Sequence, residues 1–184
     1  MSDASFVTIK RLSPESERDF HRVHGDGAGA SCHCVAWWVP TWGGWSARTS
    51  AENAALRAKL FGDGVHDGYL VYAGGDLAGW CQAWRRDAFA KLAIQFNLAS
   101  SDDAWMIGCL LILPEFRARG VAKSALALIV DDLKLRGARS VDAFPKRGAL
   151  EAGELWNGAE STYRALGFEV VRDDAERPVL RLSF

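Results

Sequence analysis

The fold of this chain is decided by the stretch Leu111-Ile112-Leu113-Pro114-Glu115-Phe116-Arg117-Ala118-Arg119-Gly120-Val121-Ala122-Lys123. Within it, the apolar run from Trp105 to Leu113 ends at Pro114. A short basic turn with one glycine follows. Apolar residues then recur with helical spacing at Ala122, Ala125, Leu126, Ile129 and Leu133. The pattern predicts a buried strand that leads directly into a helix.

The start of such a helix favours a phosphate group. Its first backbone N–H groups have no partner within the helix, and the helix dipole places its positive end there. Gly120 lets the backbone approach a ligand closely, and Arg117, Arg119 and Lys123 add positive charge. The turn is therefore expected to hold a pyrophosphate, and a purely structural turn is the alternative.

The composition is that of a soluble globular protein. A length of 184 residues, with 49% apolar and 24% charged residues, predicts a single domain over 1–184. A net charge of −1 argues against a general nucleic-acid binder, which needs many phosphate contacts. Neither a membrane-spanning stretch nor a signal peptide is evident, so a cytoplasmic location with free thiols at the four cysteines is expected.

Alternation, helix caps and turn signals predict the other elements. Strands are expected at Phe6–Leu12, Tyr69–Ala73, Leu77–Trp84, Trp105–Leu113, Ser140–Phe144, Phe168–Arg172 and Val179–Phe184. Helices are expected from Ser13 to about Val23, from Thr49 to Gly62, from the basic turn to Arg136, and from Leu155 to Leu166. Residues 25–30 are interpreted as a glycine-rich loop, and residues 86–101 as a long connection. The order predicts an α/β protein of the α+β type, with a mixed central sheet of about seven strands flanked by helices.

Two motifs in the second half resemble those of a known enzyme family. Arg117-x-x-Gly120-x-Ala122 is similar to the (Gln/Arg)-x-x-Gly-x-(Gly/Ala) signature of the GNAT family of N-acetyltransferases. Tyr163-Arg164-Ala165-Leu166-Gly167-Phe168 is similar to the family's second landmark, Tyr-x-x-x-Gly-Phe. The resemblance covers about 103–184 well and the first half in outline. It implies the GNAT fold with splayed central parallel strands, and acetyl-CoA as co-substrate.

The resemblance also implies which residues bind the cofactor. The pantetheine arm would lie between the strands Trp105–Leu113 and Ser140–Phe144. Its partners would be the backbone groups of Leu111, Ile112 and Leu113. The pyrophosphate would be bound beside Arg117 by the amides of Arg119, Gly120, Val121, Ala122, Lys123 and Ser124.

The expected catalytic groups follow the family only in part. Tyr163 matches the tyrosine that protonates the departing CoA thiolate, and a helix tyrosine in contact with water is the alternative. The asparagine that contacts the cofactor in many members falls at Trp156, so Asn157, one residue later, is a displaced candidate. The glutamate that often serves as base has no counterpart, because Trp105–Leu113 contains no carboxylate.

A segment rich in cysteine and tryptophan occupies about 25–48. Cys32, His33 and Cys34, with His21 and His24 before them, could supply the four ligands of a zinc site. The tight Cys-x-Cys spacing and the lack of a second cysteine pair disfavour a metal, and none is expected. The segment also contains Trp37, Trp38, Trp42 and Trp45. Trp37, Trp38 and Trp42 are expected to contact the acceptor substrate, since flat rings offer apolar surface and can hold a cation; the alternative is that the rings fill an irregular core.

These observations predict an acetyl-CoA-dependent N-acetyltransferase that moves an acetyl group to a primary amine of a small molecule by direct attack. A non-catalytic acyl-CoA-binding sensor of the same fold is the alternative; the missing strand carboxylate favours it and Tyr163 opposes it. A zinc-stabilised interaction module would instead need bound metal. No nucleic-acid or membrane partner is expected, and a homodimer is left open.

Overall fold

The centre of the protein is a twisted mixed sheet. The computed structural model describes residues 6–25, 31–148, 154 and 156–184. The strands are β1 (Val7–Arg11), β2 (Gly68–Ala73), β3 (Asp76–Arg85), β4 (Ala104–Ile112), β5 (Ser140–Ala143), β6 (Glu169–Arg172) and β7 (Val179–Ser183). They lie in the order β1-β2-β3-β4-β5-β7-β6, and only β4 and β5 pair in parallel. The predicted mixed sheet of about seven strands is confirmed.

Helices cover both faces of this sheet. They are α1 (Glu17–Val23), α2 (Ser50–Gly62), α3 (Ala90–Phe96), α4 (Val121–Leu135) and α5 (Glu160–Arg164). The capping box expected at the start of α2 is present: Thr49 N–H donates to the Glu52 carboxylate, and Glu52 N–H donates to Thr49 Oγ1. No helix in the described ranges is both long and apolar enough to cross a membrane.

Strand β4 carries one extra residue at Gly108. Cys109 lies opposite Gln82 and Ile107 lies opposite Ala83, so Gly108 has no partner on β3. An unpaired residue of this kind is a β-bulge, which changes the side to which the following side chains point.

The bulge decides which face of the sheet each β4 side chain meets. Trp105 and Ile107, before the bulge, and Leu110 and Ile112, after it, all pack in the core cluster beneath α4. Cys109 packs on the opposite face, against the cluster that α1 covers. An unbroken strand would have placed Leu110 and Ile112 on the other face from Ile107.

The parallel pair separates just before this bulge. Pairing between β4 and β5 spans Ala104 to Ile107 on β4 and ends there. Further along, Leu110 N–H instead donates to the carbonyl of Trp156, at an N–O distance of 2.6 Å. The splayed central strands that the fold prediction requires are therefore present.

Two segments differ from the sequence prediction. Residues 86–101, interpreted as a connection, contain α3, whose Leu92 and Phe96 are buried, as is Phe89 just before it. The helix expected from Leu155 begins only at Glu160, because Gly158 has a left-handed φ of +79° that a helix cannot include. Leu155 and the loop residues 26–30 lie outside the described residues.

Candidate functional site

A cavity of about 700 Å³ opens where β4 leaves β5. Its walls are β4 after the bulge, the turn into α4, the approach to α5, and residues 31–48, called here the Cys/Trp loop. Arg117 and Lys123 stand at the end nearest α4, and Trp42 and Trp45 belong to the loop wall. No aspartate or glutamate is found among the described residues that line it.

The turn into α4 is shaped for an anion. Ala118 and Gly120 both have left-handed φ values, +56° and +80°, and no side chain caps the helix. Ser124 N–H already donates to the Gly120 carbonyl, so the N–H groups before it form the free first turn. Gly120, Val121, Ala122 and Lys123 line the cavity there. Arg119 does not line it; its guanidinium lies over the Phe6 ring.

The backbone of β4 turns alternately to its two neighbours. Leu113 N–H donates to the carbonyl of Ala78 in β3, so Leu111, two residues earlier, also directs its backbone groups to β3. Ile112 faces the open edge, where its carbonyl accepts a hydrogen bond from Arg117 Nε at 2.8 Å. Of the three residues predicted to hold the pantetheine arm, Ile112 is the one with backbone groups on that edge.

Tyr163 lies in the core rather than in the cavity wall. Its hydroxyl donates to the Asn157 carbonyl at 2.6 Å, the side chain is fully buried, and burial raises the pKa of the phenol. Asn157 is buried too, and its side-chain amide donates to the Gly108 carbonyl at 2.9 Å. Their neighbours Trp156 and Thr162 line the cavity instead.

The tryptophans divide between core and cavity. Trp37 is buried and donates from Nε1 to the Gly108 carbonyl at 3.1 Å, and Trp38 donates from Nε1 to Asp67 at 2.7 Å. Trp42 lines the cavity and is 39% exposed. Of the three tryptophans predicted to contact the acceptor, the structure brings Trp42 to the cavity.

The tryptophan rings already surround a cation, which is Lys91 of α3. Its ammonium lies 3.5 Å from the centroid of the Trp42 ring, 5.7 Å from that of Trp37 and 5.9 Å from that of Trp45. It also donates to the Ala36 carbonyl. Burial lowers the pKa of Lys91 to about 8, so the group still carries its charge through most of the neutral range.

A buried ion pair holds the start of the Cys/Trp loop. Arg57 and Asp67 are both fully buried and 2.7 Å apart. Arg57 also donates to the carbonyls of His33 and Cys34, at 3.1 and 2.6 Å. Because His33 and Cys34 have left-handed φ values of +47° and +52°, these hydrogen bonds hold the loop in an otherwise unfavourable backbone conformation.

Three of the four cysteines line the cavity. They are Cys32, Cys34 and Cys109. Cys34 accepts a hydrogen bond from Trp80 Nε1 at 3.1 Å, and burial raises the pKa of its thiol. The described part of the chain contains no group of three or more histidine, cysteine, aspartate or glutamate side chains that could hold a metal ion.

His24 is a cavity residue that the sequence reasoning considered only as a zinc ligand. It follows the last residue of α1, is 3% exposed, and lines the cavity. Its Nδ1 lies 2.9 Å from the Phe20 carbonyl, and burial lowers the pKa of the imidazole to about 4. Its place between a helix end and Gly25 was the available signal, since a buried helix end commonly uses a side chain to satisfy a carbonyl.

The family model described as the acetyltransferase (GNAT) family matches residues 33–168, which is well over half of the chain. A search of curated proteins found no match.

Solved structures with the same fold share little sequence with this chain. An acetyltransferase from Thermus thermophilus superposes with a TM-score of 0.56 at 16% identity, covering 97% of each chain. An N-acetyltransferase from Staphylococcus aureus gives 0.55 at 12% identity, covering 96% of this chain and 98% of the other. The PaiA N-acetyltransferase from Thermoplasma acidophilum, determined in complex with coenzyme A, gives 0.53 at 13% identity, covering 97% and 99%.

Proposed function

Because the chain belongs to the acetyltransferase (GNAT) family, we propose that it transfers the acetyl group of acetyl-CoA to a primary amine of a small molecule. The observation that carries this proposal is one continuous cavity that joins the uncapped start of α4 to the open edge of β4. Such a cavity can hold a phosphate at one end and an extended thioester arm along the strand edge. The acceptor would then bind against the wall formed by the Cys/Trp loop.

Acetyl-CoA fits the residues present. The amides from Gly120 to Lys123 would bind the pyrophosphate, with Arg117 and Lys123 as neighbouring positive charges. The pantetheine arm would run along the edge that Ile112 faces. The acetyl end would then lie deeper, towards Cys109 just after the bulge. The coenzyme A in the Thermoplasma relative supports this choice of donor for a chain of the same fold.

The reaction would proceed by direct attack of the amine nitrogen on the thioester carbonyl. Holding both reactants in one cavity supplies much of the rate, because the encounter becomes intramolecular. Tyr163 is proposed as the donor of a proton to the CoA thiolate. To do so, its hydroxyl would have to exchange the Asn157 carbonyl for the sulfur.

The walls of the loop side indicate an acceptor with an apolar body. Trp42, Trp45 and Trp156 contribute aromatic surface, and the described lining residues include no carboxylate that would pair with a second positive charge. Lys91 already occupies the cage of tryptophan rings. Polyamines and other acceptors with several positive charges are therefore disfavoured by repulsion.

A non-catalytic acyl-CoA sensor is the second candidate, and one observation favours it. The Tyr163 hydroxyl is fully buried and already donates its only proton to Asn157, so the expected acid is not in the cavity wall. A sensor would bind acetyl-CoA in the same cavity and release no free thiol in the presence of amines.

Two measurements test the proposal. Calorimetry should show CoA binding by the wild-type chain and its loss in Gly120→Glu, where a carboxylate would enter the phosphate position. Gly137→Glu is the matched control, because Gly137 also has a positive φ, +89°, and lies just beyond the other end of α4. Equal CoA affinity in Gly120→Glu and Gly137→Glu would rule out the turn into α4 as the phosphate site.

The second measurement follows thiol release from acetyl-CoA with a panel of amines. The panel should include arylalkyl and alkyl monoamines and, for comparison, diamines. Amine-dependent thiol release, greatest for the apolar monoamines, supports the transferase. Binding of acetyl-CoA without release for any amine supports the sensor.

A further inference from the structure

Strand β4 contains no carboxylate that could accept the proton of the attacking amine. We propose that His24 fills this role: its Nε2 atom accepts a hydrogen bond from the acceptor nitrogen and takes its proton as the nitrogen attacks. This inference rests on the transferase function proposed above. It assigns a catalytic residue outside both sequence motifs.

The position of His24 places it on the acceptor side of the cavity. Its ring packs tilted against Phe20, with centroids 4.1 Å apart, and lies 6.0 Å from the Trp80 ring. Trp80 in turn donates to Cys34, which lines the same cavity. Phe20, Trp80 and Cys34 form one core cluster, against which Cys109 and Leu111 of β4 pack. His24 is thus on the face of the sheet opposite to α4, from which an acceptor would approach the splayed strands.

The tautomer of His24 is set by its helix. Nδ1 lies 2.9 Å from the Phe20 carbonyl, which can only accept, so Nδ1 carries the hydrogen. In the neutral ring Nε2 is then left with a lone pair. Among the described residues Nε2 has no hydrogen-bond partner, and His24 is one of the residues that line the cavity. Nε2 is thus the ring nitrogen left free to meet an acceptor in the cavity.

The charges around His24 keep the ring neutral before the acceptor binds. Burial is the main cause of its low pKa, and Arg57, His33 and His21 lower it further by positive charge. The ring is consequently available as an acceptor throughout the neutral range, and protonation of its Nε2 during the reaction is transient.

The nitrogen lone pair forms an N–C bond with the thioester carbonyl, and the C–S bond breaks with its electron pair on sulfur. One proton leaves the nitrogen for His24 Nε2 and passes from there to water. A second proton reaches the sulfur, from Tyr163 or from water, and gives free CoA and a neutral amide.

The test compares His24→Ala with His24→Gln and a control. In His24→Ala, turnover at saturating acetyl-CoA should fall on the order of 100-fold or more, the usual range for a lost acid–base group. CoA affinity by calorimetry should stay unchanged, and added imidazole should restore part of the turnover, because free imidazole can occupy the vacated space. His24→Gln retains a side-chain donor for the Phe20 carbonyl, so it should fold normally and still lose turnover. His21→Ala, an exposed histidine of α1, should stay within twofold of wild type.

Each result bears on the assignment. Turnover within twofold of wild type in both folded His24 variants would overturn it. So would a loss of turnover that added imidazole does not restore, or one that is accompanied by a loss of CoA affinity. These outcomes leave the transferase function standing. If the wild-type chain binds acetyl-CoA and acetylates no amine, the transferase function fails, and the role of His24 fails with it.

Discussion

Removal of the buried carboxylate Asp67 should destabilise the protein severely. In Asp67→Ala the guanidinium of Arg57 stays fully buried and loses its ion-pair partner at 2.7 Å. Breaking such a pair from one side costs about 3–5 kcal/mol of unfolding free energy. Trp38 Nε1 and Gln82 Nε2 each lose a 2.7 Å hydrogen bond to the same carboxylate, which adds about 1 kcal/mol apiece if neither finds another acceptor.

The predicted loss is therefore on the order of 4 kcal/mol or more, a large part of the stability of a domain of this size. Urea unfolding followed by tryptophan fluorescence measures it. Asp63→Ala is the matched control, since its ion pair with Lys59 is exposed and should contribute almost nothing. The double variant Arg57→Met with Asp67→Leu should recover part of the loss, because it leaves no unpaired buried charge, although the hydrogen bonds from Arg57 to the His33 and Cys34 carbonyls are also lost.

A loss below about 1 kcal/mol in Asp67→Ala would refute the reasoning, because a value that small is typical of exposed pairs. It would mean that water reaches Arg57 or that the Cys/Trp loop does not depend on this anchor. An intermediate loss that the double variant fails to recover would assign the cost to the hydrogen bonds rather than to the charge.

Three further predictions concern single side chains. Tyr163→Phe should lower turnover about 10²–10⁴-fold with little change in CoA affinity if Tyr163 protonates the thiolate; steady-state rates within twofold of wild type would limit its hydroxyl to the bond with Asn157. Trp42→Ala should raise the acceptor KM and leave CoA binding unchanged, while a large fall in melting temperature would instead show that the ring is mainly packing. For His24, the pKa is 6.5 in the unfolded chain and about 4 in the folded one, so above pH 6.5 both states are neutral, and as the pH falls the unfolded state alone takes up a proton. Between pH 7 and pH 5 the free energy of unfolding of the wild type should therefore fall by about 2 kcal/mol more than that of His24→Gln. Urea unfolding measures both, and an equal fall in the two proteins would disprove the prediction.

Periodicity and capping located most of the scaffold in advance. The strand ending near Leu113, the glycine turn and the amphipathic helix were predicted together and observed as β4 and α4. The strands Tyr69–Ala73 and Leu77–Trp84, which flank the turn at Gly74 and Gly75, were also predicted, because such turn residues admit only a few backbone conformations. These features depend on residues close in sequence, and local rules therefore suffice for them.

The structural features that could not be predicted from the sequence all depend on residues that are far apart in the chain. The bulge at Gly108 is defined by the register between β3 and β4; a glycine inside a strand often marks a bulge, but the glycine alone does not fix that register. The orientation of each tryptophan depends on partners far along the chain, such as Gln95 for Trp42 and Asp67 for Trp38. His24 was visible in the sequence, but its access to the cavity follows from how α1 packs on β3.

The Gly108 bulge has a consequence for any attempt to redesign the acceptor specificity of this protein. The Gly108 carbonyl accepts from both Trp37 and Asn157, and a Cβ there would come within 2.6 Å of Met106 and 2.9 Å of Trp37. Position 108 thus cannot be varied, and a deletion there would exchange the faces of every later β4 residue. Mutant libraries can explore Cys32, Cys109 and Trp42, provided that this one backbone position is held constant, since it sets the face of the sheet to which Cys109 points.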